Sequence, residues 1–219
     1  MWRALAEREG DPILDIGAGT GRVALDLSKR GHRVTALDND PALVAELERR
    51  ARGLDLTAVE ADARAFELDE TFAVCLVPMQ TIQLLEGSAG RAALLERARR
   101  HLKPGGLLAI AIAARLELYE VSDGGPHPLP DVCEREGVVY ASRPTAIREA
   151  DGHFVIERRR ETVDGEGRRE VVDHAISLDL VTGAELEREA RTAGLSPSDR
   201  ATIAATRDYA GSEVVILRA

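Results

Sequence analysis

The chain has 219 residues, which is enough for one α/β domain with a full core and too few for two ordinary domains. Hydrophobic residues make up 44% and charged residues 31%, so the composition excludes wholesale disorder. A net charge of −9 and an aromatic content of 3% disfavour a nucleic-acid partner, because such a partner needs cations for its phosphates and rings for its bases.

Targeting signals and cysteine chemistry are the next features that the sequence constrains. The longest strongly apolar run, 107–114, is far too short to cross a membrane, and the charged segment 1–11 lacks the apolar core of a signal peptide. Cys75 and Cys133 form neither a disulfide framework nor a CxxC pair, and no cluster has metal-ligand spacing. We therefore expect a cytoplasmic protein with no membrane segment and no metal.

Strand and helix patterns alternate along the first half of the chain. Short apolar runs predict strands at 12–16, 33–37, 54–59, 71–77 and 107–113. Helical spacing predicts helices at 20–30, 41–52 and 88–102. Asp40 is the expected N-cap of the second helix, Gly31 ends the first, and 103–106 is expected to turn the chain into the fifth strand. This alternation is typical of a parallel sheet with helices on both faces.

The pattern changes after residue 114. Strand-like runs follow at 138–142, 146–149, 154–162 and 171–180, after a rigid loop at 123–130. Asp151-Gly152 and Asp164-Gly165 lie between these runs as hairpin signals, so we expect an antiparallel insertion. A helix at 185–193 and a hairpin of strands at 202–206 and 213–217 are expected to close the domain.

The most informative segment is Asp15-Ile16-Gly17-Ala18-Gly19-Thr20-Gly21, which joins the first strand to the first helix. Glycines let the backbone approach a ligand closely, and the start of the helix offers free N–H groups. Asp15 can accept hydrogen bonds from an ammonium group. The spacing is GxGxG and not the GxGxxG of dinucleotide sites, whose last position is Arg22 here, and this disfavours a nicotinamide cofactor. A plain strand–helix turn is the alternative interpretation.

Two further acids follow the next strands. Asp38 ends the second strand, where an acid can hold both hydroxyls of a ribose. Asp62 follows the third strand, where its carboxylate can accept from an adenine amino group while the N–H of Ala63 meets a ring nitrogen. Each acid alone also has a structural interpretation, because acids cap helices. Together with the glycine loop, they favour a ligand that contains a nucleoside.

With these elements in place, the sequence resembles the class I S-adenosylmethionine-dependent methyltransferases. The matching motifs, in the family's order, are Leu-Asp-Ile-Gly-Ala-Gly-Thr-Gly at 14–21, Leu-Asp-Asn-Asp at 37–40, Ala-Asp-Ala-Arg-Ala-Phe at 61–66 and Leu-Lys-Pro-Gly-Gly at 102–106. The resemblance implies an α/β fold with a three-layer, Rossmann-like, seven-stranded sheet whose last strand is antiparallel, plus an antiparallel β insertion. It divides a single domain into a cofactor-binding half at 1–114, a substrate-covering insertion at 115–180 and a closing helix and hairpin at 181–219.

The resemblance also implies the cofactor, S-adenosyl-L-methionine, and its product, S-adenosyl-L-homocysteine. The implied cofactor contacts are Asp15, Gly17, Ala18 and Gly19 for the methionine moiety, Asp38 and Asn39 for the ribose, Asp62 and Ala63 for the adenine, and Pro78 at the methyl-transfer site. Candidate substrate contacts are Gln80 and Gln83 after the fourth strand, and Tyr140 and Arg143 in the insertion. No catalytic residue is assigned; His127 is either a general base or a solvated loop residue.

Two departures from the family pattern shape the expected function. Phe72 and Ala73 stand where the family often has an acid, and 77–80 lacks the Asn/Asp-Pro-Pro-Tyr signature of enzymes that methylate amino groups of nucleobases and glutamine. Only about twelve residues precede the first strand, whereas relatives usually carry one or two helices there. A longer N-terminus or a neighbouring protomer is therefore expected to complete the roof of the site, which makes a homodimer a candidate assembly.

We therefore expect direct transfer of a methyl group to a nitrogen, oxygen or carbon atom of a small-molecule acceptor. Three alternatives stay open: a methyltransferase that acts on RNA or protein, a non-catalytic S-adenosylmethionine-binding protein, and a nicotinamide-dependent oxidoreductase. The glycine spacing and Asp62 disfavour the oxidoreductase.

Overall fold

The computed structural model of the chain describes residues 1–113, 115–121, 128–206 and 210–219. The chain forms two compact units: the first is Met1–Ala114 with Val181–Ala219, and the second is Arg115–Leu180. The first unit contains a seven-stranded mixed sheet and the second a five-stranded antiparallel sheet. Within the described ranges, no helix combines the length and the hydropathy that crossing a membrane requires.

The described elements in chain order are as follows. The strands are β1 (Ile13–Ile16), β2 (Val34–Asp38), β3 (Leu56–Glu60), β4 (Phe72–Val77), β5 (Leu102–Ile112), β6 (Tyr119–Glu120), β7 (Asp131–Arg135), β8 (Val138–Ala150), β9 (His153–Val163), β10 (Arg169–Asp179), β11 (Ser196–Ile203) and β12 (Ser212–Arg218). The helices are α1 (Trp2–Glu9), α2 (Ala24–Ser28), α3 (Pro41–Arg50), a 3₁₀ helix (Thr81–Leu84), α4 (Ser88–His101) and α5 (Gly183–Thr192).

The seven-stranded sheet has the strand order β11-β12-β5-β4-β1-β2-β3. Strands β1 to β5 pair in parallel, and β12 is antiparallel to both of its neighbours, β5 and β11. Residues 107–112 of β5 and all four residues of β1 are buried, as expected for parallel strands covered on both faces. The predicted Rossmann-like sheet with its last strand antiparallel is confirmed.

Local signals set several element ends, and the N-cap of α3 is the one that was predicted. The Asp40 side chain caps α3 by accepting hydrogen bonds from the N–H groups of Ala42 (2.8 Å) and Leu43 (3.4 Å). Thr182 and Glu185 form a capping box at the start of α5. Helix α2 begins at residue 24 and not at residue 20, because Gly21 still has a positive φ of 89°, which no α-helix accommodates.

Elsewhere the strands run further than the sequence suggested. The expected turn at 103–106 is an irregularity inside β5, because Leu102 pairs with Phe72 while Leu107 pairs with Val74. The two strands predicted at 138–142 and 146–149 are the single strand β8, with a register shift next to Pro144, which has no N–H to donate. Sequence patterns also missed α1, β6 and β7, and placed the start of β11 six residues too late, because these segments are short or mostly polar.

The second unit is an antiparallel sheet in the order β10-β9-β8-β6, with β7 also paired to β8. The turn between β8 and β9 uses Asp151 (φ 50°) and Gly152 (φ 78°), and two successive positive φ values are what a two-residue hairpin turn requires. The Asp-Gly signal at 151–152 is thus confirmed. Segment 169–175 of β10, which forms one edge of the sheet, is exposed throughout.

Helix α1 is tied to β12 by an ion pair. The guanidinium of Arg218 donates to both carboxylate oxygens of Glu9, at 2.6 and 2.7 Å. These hydrogen bonds, with a further one from the Arg8 guanidinium at 2.7 Å, lower the pKa of Glu9 to about 2, against the desolvation that opposes the shift. Because the pKa is lower in the folded chain, the stabilisation is present above the ordinary pKa of glutamate and is lost as the pH falls towards 2.

We expect Glu9→Gln to lower the free energy of unfolding by about 1 kcal/mol at pH 7, and by less at pH 3. Urea denaturation at both pH values measures the difference. Glu7→Gln, on the exposed side of the same helix, is the matched control. An equal loss in both variants, or a loss in Glu9→Gln that does not shrink at pH 3, would contradict the importance of the pair with Arg218.

Candidate cofactor site

The predicted cofactor contacts lie in loops at one edge of the seven-stranded sheet. Strands β4, β1, β2 and β3 are adjacent and parallel, so the loops that follow them leave the sheet at the same carboxyl edge. Asp38 pairs in register with Glu60, and Asp15 pairs with Ala36 and Leu76. Open parallel sheets bind their ligands at this edge.

The glycine loop is held against the end of β2. The N–H groups of Gly17 and Ala18 both donate to the carbonyl of Leu37, at 2.9 and 3.0 Å. The N–H of Gly19 donates to Oδ2 of Asp38 at 2.8 Å. Gly17 and Gly19 have φ values of 73° and 55°, which are open to glycine and strained for other residues. The loop thus adopts a defined conformation that the glycines make accessible.

Asp38 organises this loop from the end of β2. Its Oδ1 accepts a hydrogen bond from the N–H of Asp40 at 3.1 Å, and its Oδ2 accepts from Gly19. Each carboxylate oxygen can accept more than one hydrogen bond, so the half-buried carboxylate retains capacity for two hydroxyl donors. Asn39, which directly follows β2, is exposed.

Asp15 is fully buried at the end of β1. Its Oδ2 accepts a hydrogen bond from the N–H of Ala24 at 3.0 Å, whereas its Oδ1 is buried and has no hydrogen-bond partner within the described part of the chain. Burial raises the pKa of Asp15 to about 7, the hydrogen bond from Ala24 opposes the rise, and the charge of Asp38 adds to it. An ammonium group is the kind of donor that this oxygen lacks.

The loop after β3 adjoins Asp38, because the N–H of Ala61 donates to the Asp38 carbonyl at 3.0 Å. The carboxylate of Asp62 accepts from the backbone N–H of Arg64 at 2.8 Å and from its guanidinium at 2.8 to 3.1 Å. The Arg64 side chain thereby lowers the pKa of Asp62 below its ordinary value. Ala63 is buried beside it. Sequence reasoning missed Arg64, although a cation two residues after the acid is a usable signal.

The segment after β4 packs on the glycine loop. The hydroxyl of Thr81 donates to the carbonyl of the buried Pro78 at 3.0 Å. A Cβ on Gly17 would overlap the Thr81 side chain, approaching its Oγ1 to 2.5 Å. Gln80 is half-buried just before the 3₁₀ helix. The sequence analysis did not single out Thr81 as a residue that packs against the glycine loop. The available signal was a hydroxyl-bearing residue three positions after Pro78.

Gln83 is fully buried in the 3₁₀ helix. Its Oε1 accepts from the N–H of Ala113 at 2.7 Å, and its Nε2 donates to the Ala113 carbonyl at 3.2 Å. The amide therefore links the 3₁₀ helix to the end of β5, a role that sequence position did not indicate. The contact of Gln83 with substrate stays a prediction.

The other candidate substrate residues belong to the second unit. Tyr140 is exposed on β8 and lines a cavity of about 280 Å³ together with Ser142, Arg160 and Thr162. Arg143 lines a separate cavity of about 150 Å³. His127, the candidate general base, lies outside the described residues.

This combination of strand order, glycine loop and acids after successive strands is typical of Rossmann-like domains that bind a nucleoside-containing cofactor. Residues 13–106 match the family described as a methyltransferase domain. Over 98 residues the chain is 38% identical to a cypemycin N-terminal methyltransferase of a Streptomyces species, covering 45% of this chain and 40% of that protein. It is 30% identical over 219 residues to a probable ribosomal RNA small subunit methyltransferase A of Thermococcus kodakarensis, covering 87% of this chain and 78% of that protein.

Among solved structures, the chain is similar to S-adenosylmethionine-bound CalS10, an amino pentose methyltransferase from Micromonospora echinaspora. The TM-score is 0.69 at 22% identity, over 99% of this chain and 86% of that chain, and this is a likeness of fold. The chain belongs to the class I S-adenosylmethionine-dependent methyltransferases. It spans about half the length of several curated relatives that it matches.

Proposed function

We propose that this chain binds S-adenosylmethionine at the carboxyl edge of β1 to β4 and transfers its methyl group to a nitrogen, oxygen or carbon atom of a small-molecule acceptor. Two features carry the proposal. One is the buried Oδ1 of Asp15, which has no hydrogen-bond partner among the described residues, and the other is the positive-φ glycine loop bonded to Asp38. A cofactor that carries an ammonium group and a ribose matches both features.

Each part of the cofactor has an assigned neighbour in this proposal. Asp15 accepts from the ammonium group, and the loop at 17–19 lies along the methionine moiety. Asp38 and Asn39 hold the ribose hydroxyls. Asp62, which is bonded to the Arg64 guanidinium, accepts from the adenine amino group, and Ala63 donates its N–H to the ring. Pro78 borders the methyl group.

When bound, S-adenosylmethionine supplies a methyl group already activated by its positively charged sulfur, which an acceptor atom takes by direct displacement. The contribution of the chain is then to orient the acceptor and to exclude water from it. We assign Pro78 and Gln80, which follow β4, to the place where the methyl group is transferred. No residue is assigned as a base.

A small-molecule acceptor is supported by the net charge of −9, by the low aromatic content and by the fold shared with an amino pentose methyltransferase. We propose Tyr140 and Arg143 as candidate acceptor contacts, and we propose that the protein assembles as a homodimer. Because both cysteines are free, we propose a reducing, cytoplasmic location.

An RNA or polypeptide acceptor is the second candidate. It is favoured by two relatives, whose names assign them to ribosomal RNA and to the N-terminus of cypemycin. Transfer of a radiolabelled methyl group to panels of amino sugars, phenols, short peptides and RNA separates these classes. A salt-dependent RNA complex, together with labelled RNA, would overturn the small-molecule assignment. Cofactor binding with no product from any panel would indicate a non-catalytic binding protein.

The cofactor assignment is tested by calorimetric titration with S-adenosylhomocysteine. We expect micromolar binding by the native chain, and binding weakened at least tenfold, or about 1.4 kcal/mol, in Asp38→Ala. The matched control is Asp55→Ala, an exposed acid that precedes β3 at the amino edge of the same sheet. Circular dichroism confirms that each variant is folded, since Asp38 also bonds two backbone groups.

The outcomes that would contradict the assignment are distinct. A folded native chain that fails to bind overturns the proposed cofactor site. Equal weakening in Asp38→Ala and Asp55→Ala shows that the effect is general electrostatics and removes the ribose-binding role of Asp38.

A further inference from the structure

The Asp15 carboxyl is satisfied on one side only. Its Oδ2 is bonded to the N–H of Ala24, and its Oδ1 is enclosed without a partner among the described residues. An ionised carboxylate in this position leaves a buried negative oxygen uncompensated, which is far more costly than leaving a neutral group there. Either a proton on Oδ1 or a cation placed against it removes that cost.

Among the residues that the structure describes, no cation acts on Asp15. Its neighbours in register are Ala36 on β2 and Leu76 on β4, and its α2 partner is Ala24, all of them uncharged. The charged group that acts on Asp15 is Asp38, at the end of β2, whose negative charge disfavours a second ionised carboxylate nearby. Burial and this like charge therefore both favour a proton on Asp15 in the chain without cofactor.

We propose that Oδ1 of Asp15 carries a proton in the cofactor-free chain and that the ammonium group of the cofactor replaces this proton on binding. The inference rests on the proposed function and deepens it, because it makes the methionine end of the site a proton-linked switch. In the exchange, the O–H bond of the carboxyl breaks and its proton passes to solvent or buffer. An N–H···O hydrogen bond from the ammonium group forms in its place, and nothing is oxidised or reduced.

Proton exchange makes affinity depend on pH in a stated direction. With a pKa of about 7 in the free chain, Asp15 is mostly protonated at pH 6 and mostly ionised at pH 8. Binding at pH 6 must first remove the proton, so we expect the dissociation constant to be about tenfold higher at pH 6 than at pH 8. Above pH 8 the affinity no longer gains from this group.

The experiment is calorimetric titration of the full chain with S-adenosylhomocysteine at pH 6 and pH 8. Each titration is made in two buffers of different ionisation enthalpy, which gives the number of protons released on binding. We expect close to one proton at pH 6 and close to none at pH 8.

Two variants assign the proton. Asp15→Asn keeps an oxygen for the Ala24 N–H and resembles the protonated carboxyl in shape and charge, so it is expected to fold. It should bind more weakly than the native chain at pH 8, release no proton and show equal affinity at both pH values. Asp55→Asn makes the same chemical change at an exposed position and should reproduce the native proton count and pH dependence.

The failure of the inference and the failure of the proposed function give different results. Binding at pH 8 without proton release at pH 6 overturns the proton exchange and leaves the cofactor site standing. Proton release that persists in Asp15→Asn overturns the assignment to Asp15. A folded chain that binds at neither pH overturns the proposed function, and this inference with it.

Discussion

Gly19→Ala is expected to weaken binding of S-adenosylhomocysteine by about a hundredfold, whereas Gly31→Ala leaves it within about twofold. The two glycines have positive φ values of 55° and 93°, and a Cβ added at either would have no atom within 4 Å. The strain of a side chain in that backbone region, about 1 to 2 kcal/mol, therefore falls on both. Only Gly19 lies in the loop bonded to Asp38, where the added methyl group would enter the proposed cofactor space.

The comparison separates ligand binding from stability. Urea denaturation should show similar losses of unfolding free energy in the two variants, while calorimetry shows a loss of affinity in Gly19→Ala alone. If both variants bind equally, or if both lose affinity in proportion to their stability, the glycine loop does not contact the cofactor.

The second large effect expected is on the pH dependence of stability of the cofactor-free chain. The pKa of Asp15 is about 7 in the folded chain and has an ordinary value of 3.8, so the folded chain binds more protons between these values. The stabilisation that the folded chain gains from the proton on Asp15 is therefore fully present below the ordinary pKa of Asp15. It is lost as the pH rises through 7. The loss approaches about 1.4 kcal/mol per pH unit.

Asp15→Asn removes this titration. Between pH 5 and pH 7, we expect the native chain to lose about 2 kcal/mol of unfolding free energy relative to Asp15→Asn. Urea denaturation at pH 5, 6, 7 and 8 measures the difference, and the subtraction cancels groups that titrate alike in both proteins. Asp55→Asn should follow the native profile. Parallel profiles for the native chain and Asp15→Asn would show that Asp15 does not titrate in this range.

The place of each residue in the site follows from the sequence pattern, whereas its hydrogen-bond partners follow from the folded loops. The positions of Asp15, Gly19 and Asp38 at one sheet edge follow from apolar runs that end in acids or glycines, since parallel strands carry their carboxyl ends to the same side. The hydrogen-bond state of each carboxylate does not follow from that pattern. It depends on which backbone N–H groups the folded loops bring within reach, such as Ala24 for Asp15 and Gly19 for Asp38.

Gln83 shows why the rest could not be predicted. Its place after β4 was correctly identified, but its amide is satisfied by Ala113, thirty residues later along the chain. A side chain's partner is set by the distances between elements that pack together, and a single sequence carries no record of those distances. For the same reason, the sequence could not show that the Thr81 side chain occupies the space a Cβ on Gly17 would need.

The sequence by itself determined the family, the alternating strands and helices of the first unit, the glycine loop and the N-cap of α3. These depend on local periodicity and on the backbone freedom of particular residues such as Gly17 and Asp40. The tertiary structure alone decided that Gln83 is bonded to Ala113 and that Arg64 is bonded to Asp62. It also decided that one oxygen of Asp15 has no hydrogen-bond partner in the described part of the chain. Those outcomes arise from burial and from contacts between distant segments, which exist only once the sheet has assembled.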